Sequence, residues 1–442
     1  MKDEIKKAVT HEKLPVYAFT FDGFSDDEMP IGGYIGPFGG YEHNGESIPS
    51  TVTDESYADV KECGLNFFAA MKQDYNANRE ETLLSLDLAA KYGVKLFICD
   101  RALYLLNLQE KRPPLPKDEF AARVAAYKDH PAFAGLVGRD EPFGHEFSAV
   151  KEVQERVNEV FAGTKLGLYM NSNGYQCPPP WLSGGPEYVI KEDWSVAKYV
   201  EGYLDATKGA QFYSYDTYPF CHQDGHVRET YLQNLQLVRD MTIKRGIPFW
   251  SFVQGGGYYD EDPNWFVPTE GGLTWNVTTS LAYGAKGIQY FPYSHPSEFT
   301  KPKSGICALV GRYGEKTERW YYAKKINAHI KAVQGVLMHA GHAGVMANGD
   351  SPCPISENST LASFRELKKL SGDPAIVGCF DYNGKTALYV VNNSIDKSAE
   401  ITLDFDGAYA YEITQGTETT SAQGKSLTLR FTAGEAALVL LK

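Results

Sequence analysis

Ala132-Phe133-Ala134-Gly135-Leu136-Val137, running directly into Gly138-Arg139-Asp140-Glu141-Pro142, is the passage on which the fold turns. A short apolar run with no polar alternation reads as a strand buried on both faces, as in a parallel sheet covered by helices. The run stops at two adjacent acids. In an α/β barrel, the loops at the carboxyl ends of the strands build the active site, so acids in this place are candidates for chemistry. The expectation is a barrel strand with Asp140 and Glu141 at its mouth.

The flanking sequence repeats the same grammar. Between residues 30 and 340, short apolar runs alternate with amphipathic stretches that often close on glycine, as expected of successive βα units. The predicted strands cover residues 31–38, 65–70, 94–100, 132–137, 165–170, 211–215, 247–253 and 287–291. Thr53-Asp54-Glu55 reads as a helix start, a capping threonine followed by an acidic first turn, and Gly93 reads as a helix stop. Thr269-Glu270 is likewise read as a helix entry and not as chemistry. Eight units predict an α/β fold, a (β/α)8 TIM barrel. An open doubly wound sheet would call for a glycine-rich phosphate loop after its first strand. Ile31-Gly32-Gly33-Tyr34-Ile35-Gly36 does not spell one, so no nucleotide cofactor is expected.

After about residue 341 the pattern changes to short alternating strands, with Asn383-Gly384 as a hairpin signal. Residues 341–442 are therefore expected to form a small all-β sandwich. Residues 1–29 are read as a segment packing on barrel or sandwich, with 16–21 as an extra strand.

Composition narrows the partners. The 442 residues carry a formal charge of −13, which argues against nucleic acid or an anionic membrane as the main partner. Aromatic content is 13%, enough to offer stacking faces for sugar rings. The seven cysteines are scattered without a Cys-x-x-Cys pair and suggest neither a zinc site nor a disulfide framework. His222 and His226 read as loop residues, so no metal is expected. The first residues lack the apolar core of a signal peptide, and no later run is long enough to cross a bilayer. This fits a cytoplasmic chain, or a secreted one whose signal has been removed.

Polar residues at the predicted strand ends collect on one mouth: Asp100 and Arg101, Arg139, Asp140 and Glu141, Asn171 and Asn173, Asp216 and Tyr218, Gln254, Tyr293 and His295. Trp181, Trp250, Tyr258, Tyr259, Trp265 and Tyr293 are candidate stacking platforms. Glycoside hydrolysis needs a carboxylic acid to protonate the departing oxygen and usually a second carboxylate to attack carbon or activate water. Glu141 suits the acid. Asp140 would raise its pKa and Arg139 would oppose that.

With these residues in place, the chain resembles the (β/α)8 glycoside hydrolases related to β-galactosidases (clan A), including those with a small C-terminal β-sandwich. The resemblance rests on Asp140-Glu141-Pro142, on Tyr215-Asp216-Thr217-Tyr218-Pro219-Phe220, and on Leu281-Ala282-Tyr283-Gly284-Ala285-Lys286-Gly287-Ile288-Gln289-Tyr290-Phe291. It implies a carbohydrate substrate, with Glu141 as acid/base at the end of the fourth strand, where Asp140 replaces the usual asparagine. It also implies a nucleophilic glutamate ending the seventh strand. That position holds Gln254, and an amide cannot act as a carboxylate nucleophile. Three readings stay open: Asp216 supplies the second carboxylate; Asp140 steers the substrate's own acetamido group in a 2-acetamido sugar; or the chain binds glycans without cleaving them.

Overall fold

The computed structural model describes residues 7–9, 13–16, 24–43, 45–103, 114–164, 166–173, 196–220, 227–256, 267–295, 308–356 and 359–442. Its first body is a parallel barrel. The strands are β1 (Ile31–Tyr34), β2 (Phe67–Asp74), β3 (Lys95–Cys99), β4 (Phe133–Val137), β5 in two pieces (Gly167–Tyr169 and Asn171–Asn173), β6 (Tyr213–Asp216), β7 (Phe249–Gln254) and β8 (Gly287–Phe291). Each pairs with its neighbours in sequence, and β8 pairs with β1. The interruption at Met170 lets the first piece of β5 pair with β4 and the second with β6, which carries the sheet round the ring. The sequence predicts a strand over 165–170 that ends before Asn171-Ser172-Asn173. Those residues instead form the rung that faces β6.

Among the described residues, eight α-helices surround the barrel: α1 (Asp54–Cys63), α2 (Arg79–Tyr92), α3 (Lys117–Val124), α4 (Phe147–Val160), α5 (Val196–Ala206), α6 (Tyr231–Arg245), α7 (Glu270–Ala282) and α8 (Glu318–Leu337). Local chemistry marks their ends. Thr53 accepts the Ser56 N–H at the start of α1, and Thr269 accepts the Gly272 N–H at the start of α7. The first strand is shorter than its apolar run suggested, and a hairpin of Tyr41–His43 and Glu46–Ile48 follows it.

The barrel interior is aromatic. Phe212 and Trp250 stack with ring centroids 3.7 Å apart, and Phe67 and Phe97 abut the same indole. Room for that ring comes from β8, where a Cβ on Gly287 would come within 2.6 Å of it. A polar layer lies among residues that point inward farther along the strands: Tyr169, Ser214 and Gln289.

The second body is antiparallel and comprises β9 (Gly341–Asn348), β10 (Leu361–Phe364), β11 (Leu367–Gly372), β12 (Ala375–Tyr382), β13 (Lys385–Asn392), β14 (Ala399–Gln415), β15 (Glu418–Phe431) and β16 (Ala436–Leu441). Strand β14 pairs first with β11 and later with β16, and its pairing with β15 shifts register between Asp404 and Tyr409. This break folds the sheet over a core that includes Val377, Leu388, Val390, Leu403 and Val439. Asn383 (φ 54°) and Gly384 (φ 84°) form the turn between β12 and β13, the left-handed pair such a hairpin needs.

The opposite face of β12, β13 and β16 is also buried, because Ile376, Phe380, Tyr389, Val391 and Leu438 join the barrel core. Burial on both faces explains why these strands are almost continuously apolar. Trp275 Nε1 donates to Asn393 Oδ1 at 2.9 Å and Thr278 Oγ1 to the Gly434 carbonyl at 2.8 Å, tying α7 to the sandwich. Lys7–Val9 runs parallel to β10, so this N-terminal strand joins the sandwich sheet. Most of the expected strand at 16–21 lies outside the described residues.

Candidate active site

The carboxyl ends of β4, β5 and β6 bring Glu141, Asn171 and Asp216 together. Past the end of β4 the chain turns sharply: Glu141 has φ 45°, a left-handed conformation that a non-glycine residue adopts at a cost of about 1–3 kcal/mol. Its N–H donates to the Asn171 carbonyl at 2.9 Å, and the Gly138 N–H donates to the Tyr169 carbonyl at 2.7 Å. These bonds lean the segment after β4 over β5, toward β6. There, Asp216 follows Ser214 on the inward side of its strand, and its carboxyl is close enough to raise the proton affinity of Glu141.

Two neighbouring carboxyls cannot both be ionised without mutual repulsion. The Glu141 proton is held well above the usual carboxyl range, first by burial, then by the charges of Asp216 and Asp140; Arg139 opposes them. The sequence left open whether Asp140 or Arg139 would prevail. The acids win, with Asp216 the stronger neighbour. Arg139 Nε lies 3.4 Å from Glu146 Oε1, which draws part of its charge away. The result is an acid that keeps its proton beside a second carboxylate, a pairing suited to proton transfer and nucleophilic attack.

Beneath the acids runs a polar relay that sequence reasoning missed. The Tyr169 hydroxyl donates to Gln289 Oε1, Gln289 Nε2 to Ser214 Oγ (2.9 Å), and Ser214 Oγ to Asn171 Oδ1 (3.1 Å). With its oxygen engaged, Asn171 presents its amide nitrogen as the remaining donor. Tyr34 faces Asp140, whose charge adds to burial in raising the phenol pKa. Polar Gln289 inside the apolar run 287–291 was the available signal.

Several predicted ligand contacts have other roles. Asp100 is buried and gripped by Arg123, with Nε at 2.8 and 2.9 Å and Nη2 at 2.6 Å, and it accepts the Tyr127 hydroxyl at 3.0 Å. Its carboxylate holds Arg123 of α3. Trp250 is fully buried in the barrel interior and has no face for stacking. Tyr293 packs on Phe68, 5.0 Å between centroids, with its hydroxyl toward Trp320 of α8. It lies under the helices and not at the mouth. Gln254 is also fully buried: Oε1 accepts the Phe220 N–H and Nε2 donates to the Phe220 carbonyl, both at 2.9 Å. That bidentate bond occupies the amide expected to touch substrate.

Tyr218 is buried 5.7 Å from the Phe291 ring, and His295 is buried where its N–H meets the Val310 carbonyl. Asn173 pairs through its backbone with Asp216. Its side chain lies outside the described residues, as do Trp181, Tyr258, Tyr259, Trp265, His222 and His226. Among the described residues no group of three or more His, Cys, Asp and Glu is arranged to hold a metal ion, and no helix is long and apolar enough to cross a membrane.

Comparison with known proteins agrees with this architecture. Residues 184–333, which include β6, β7 and β8, match the glycoside hydrolase family 42 model, described as Beta-galactosidase. A search among curated proteins finds no match. A solved glycoside hydrolase aligns with a TM-score of 0.56 at 12% identity, over 99% of both chains. A family 5 glycoside hydrolase from Bacteroides vulgatus aligns with a TM-score of 0.55 at 11% identity, over 94% of this chain and 89% of its own. A family 39 glycoside hydrolase from Bacteroides cellulosilyticus aligns with a TM-score of 0.52 at 10% identity, over 95% and 82%. The β-galactosidase of Marinomonas ef1, at 12% identity and a TM-score of 0.47, is matched over 72% of this chain, which spans 62% of that protein's length. At such identities the likeness is one of fold.

Proposed function

We propose that this (β/α)8 barrel, of the clan A glycoside hydrolase type with a C-terminal β-sandwich, hydrolyses the O-glycosidic bonds of a carbohydrate, with Glu141 as general acid/base and Asp216 as the second carboxylate. The observation that carries the proposal is the convergence of Glu141 and Asp216 at the ends of β4 and β6, with burial and the neighbouring Asp216 raising the proton affinity of Glu141. Glu141 protonates the departing oxygen. Asp216 attacks the anomeric carbon, and Glu141 then takes a proton from the water that releases the sugar. Arg139, Asn171, Tyr218 and His295 are proposed to line the sugar site, with Asn171 donating.

The test is hydrolysis of an aryl glycoside panel led by the β-galactoside, the first choice from the family 42 description, using wild type, Glu141→Gln, Asp216→Asn and Asp140→Asn. Proton transfer by a placed acid contributes about 10²–10⁴-fold, so Glu141→Gln should lose about that much on substrates with poor leaving groups. Equal rates for wild type and Glu141→Gln would remove Glu141 from the mechanism. Selective loss in Asp140→Asn on N-acetylated sugars would transfer the second role to substrate assistance. No turnover of any sugar would leave a glycan-binding protein.

A further inference from the structure

Gln254 ends β7 with its amide directed at a neighbouring backbone. It accepts the Phe220 N–H and donates to the Phe220 carbonyl, both at 2.9 Å, and its own N–H donates to Asn276 Oδ1 at 2.8 Å. Asn276, on α7, donates in turn to the Tyr231 hydroxyl at 2.7 Å. Phe220 closes the turn Asp216-Thr217-Tyr218-Pro219-Phe220 that begins at the carboxylate facing Glu141. A buried chain of hydrogen bonds thus runs from helix α7 through β7 to the far end of the segment that carries Asp216.

An amide fits this place at every pH. It offers one donor and one acceptor to a backbone group that has one of each. An ionised glutamate would set a second acceptor against the Phe220 carbonyl in a site with no exposed surface, where unmatched polar groups are most costly.

We infer that Gln254 is a positioning residue: it clamps the turn after β6 so that Asp216 stays against Glu141, and glutamine at the end of β7 is therefore the complement of a second carboxylate on β6. The inference rests on the proposed pairing of Glu141 with Asp216. The clamp acts through Phe220 and touches no substrate. Its loss frees Asp216 to leave Glu141, which weakens the repulsion that holds the Glu141 proton.

The test reads that proton without requiring turnover. The carboxyl band of Glu141 is titrated by infrared difference spectroscopy, assigned by subtraction of Glu141→Gln, in wild type and in Gln254→Leu. The expected result is a Glu141 midpoint lowered by about one pH unit or more in Gln254→Leu, the order of effect that loss of an adjacent charge produces. Circular dichroism establishes that the variant is folded. If Gln254→Leu does not fold, Gln254→Glu takes its place: its protonated carboxyl can make both bonds to Phe220, so Glu141 should behave as in wild type until the introduced carboxyl ionises. An unchanged Glu141 midpoint in a folded Gln254→Leu, or in Gln254→Glu above the ionisation of its new carboxyl, overturns the clamp. Aryl glycoside hydrolysis measured alongside separates the two ideas. A shifted midpoint in Gln254→Leu, with no hydrolysis by wild type, leaves the clamp standing and removes the hydrolase. Hydrolysis with an unshifted midpoint does the reverse.

Discussion

Replacing Glu141 by glutamine should make the protein more stable at neutral and alkaline pH while leaving it unchanged in acid. Folding raises the Glu141 pKa above its usual value of 4.5, chiefly by burial and then by Asp216. A raised carboxyl pKa contributes stability that is complete below the unfolded value and lost as pH climbs through the folded one. Above that window the ionised side chain is a burden on the native state, one the glutamine variant does not carry. Two charges about 4 Å apart repel by about 1 kcal/mol in water-like surroundings and about 4 kcal/mol at the effective dielectric of a protein surface. Glu141 retains some exposure to the cleft, which places the cost of its charge between those limits. We expect Glu141→Gln to exceed wild type by about 2 kcal/mol at about pH 8 and by nothing at about pH 4, with the difference growing by at most about 1.4 kcal/mol per pH unit. Urea denaturation followed by tryptophan fluorescence at a series of pH values measures it. Parallel stability curves for the two proteins would refute the reasoning, because Glu141 would then carry no shifted proton.

Further expectations follow from other groups. In Asp216→Asn the alkaline limb of any pH–rate profile, set by Glu141, should move to lower pH, because the charge favouring protonation is gone while burial remains. An unmoved limb would assign it to another group. Lys286, buried with its ammonium toward the carbonyls of Leu337, Met338 and Ala340, is pushed down to about 7 by burial. The native state then sheds this proton before the unfolded chain does, so wild type should gain stability on Lys286→Met as pH rises from about 7 to about 10. A pH-independent difference would count against a shifted lysine. Asp381 accepts the Arg365 guanidinium at 3.1 Å and the N–H groups of Leu14 (3.1 Å) and Gly384 (2.6 Å). Although burial disfavours its charge, those bonds hold its carboxyl below the usual value of 3.8. Asp381→Ala removes the carboxylate 3.1 Å from the buried Arg365 guanidinium and should cost about 3–5 kcal/mol. That deficit should shrink as pH falls below about 4, since wild type loses the contribution on protonation. A variant as stable as wild type by thermal melting would show that the pair contributes nothing.

Much of the architecture was legible in order along the chain. Apolar runs alternating with amphipathic stretches announce eight βα units, because strands buried by helices on one side and by a filled barrel on the other carry mostly apolar residues. Thr53, Thr269 and Asn383-Gly384 mark element boundaries by chemistry that acts within four residues. Less legible was the split of β5 at Met170. Which residues of a polar stretch pair with a neighbour depends on strands more than thirty residues away.

At the site, the sequence by itself determined that Glu141 and Asp216 end barrel strands, since strand ends and the acids after them are local features. It also determined that position 254 is no carboxylate. Tertiary structure alone decided which side chains meet. Glu141 is turned toward β6 by a left-handed backbone and a bond to Asn171; Asp100 is claimed by Arg123; Trp250 and Tyr293 are consumed by packing; and Gln254 grips Phe220. The physical reason is that a proton's affinity and a side chain's freedom depend on distance and burial. Both are set by contacts between residues far apart in the chain, where spacing along the sequence carries no record of them.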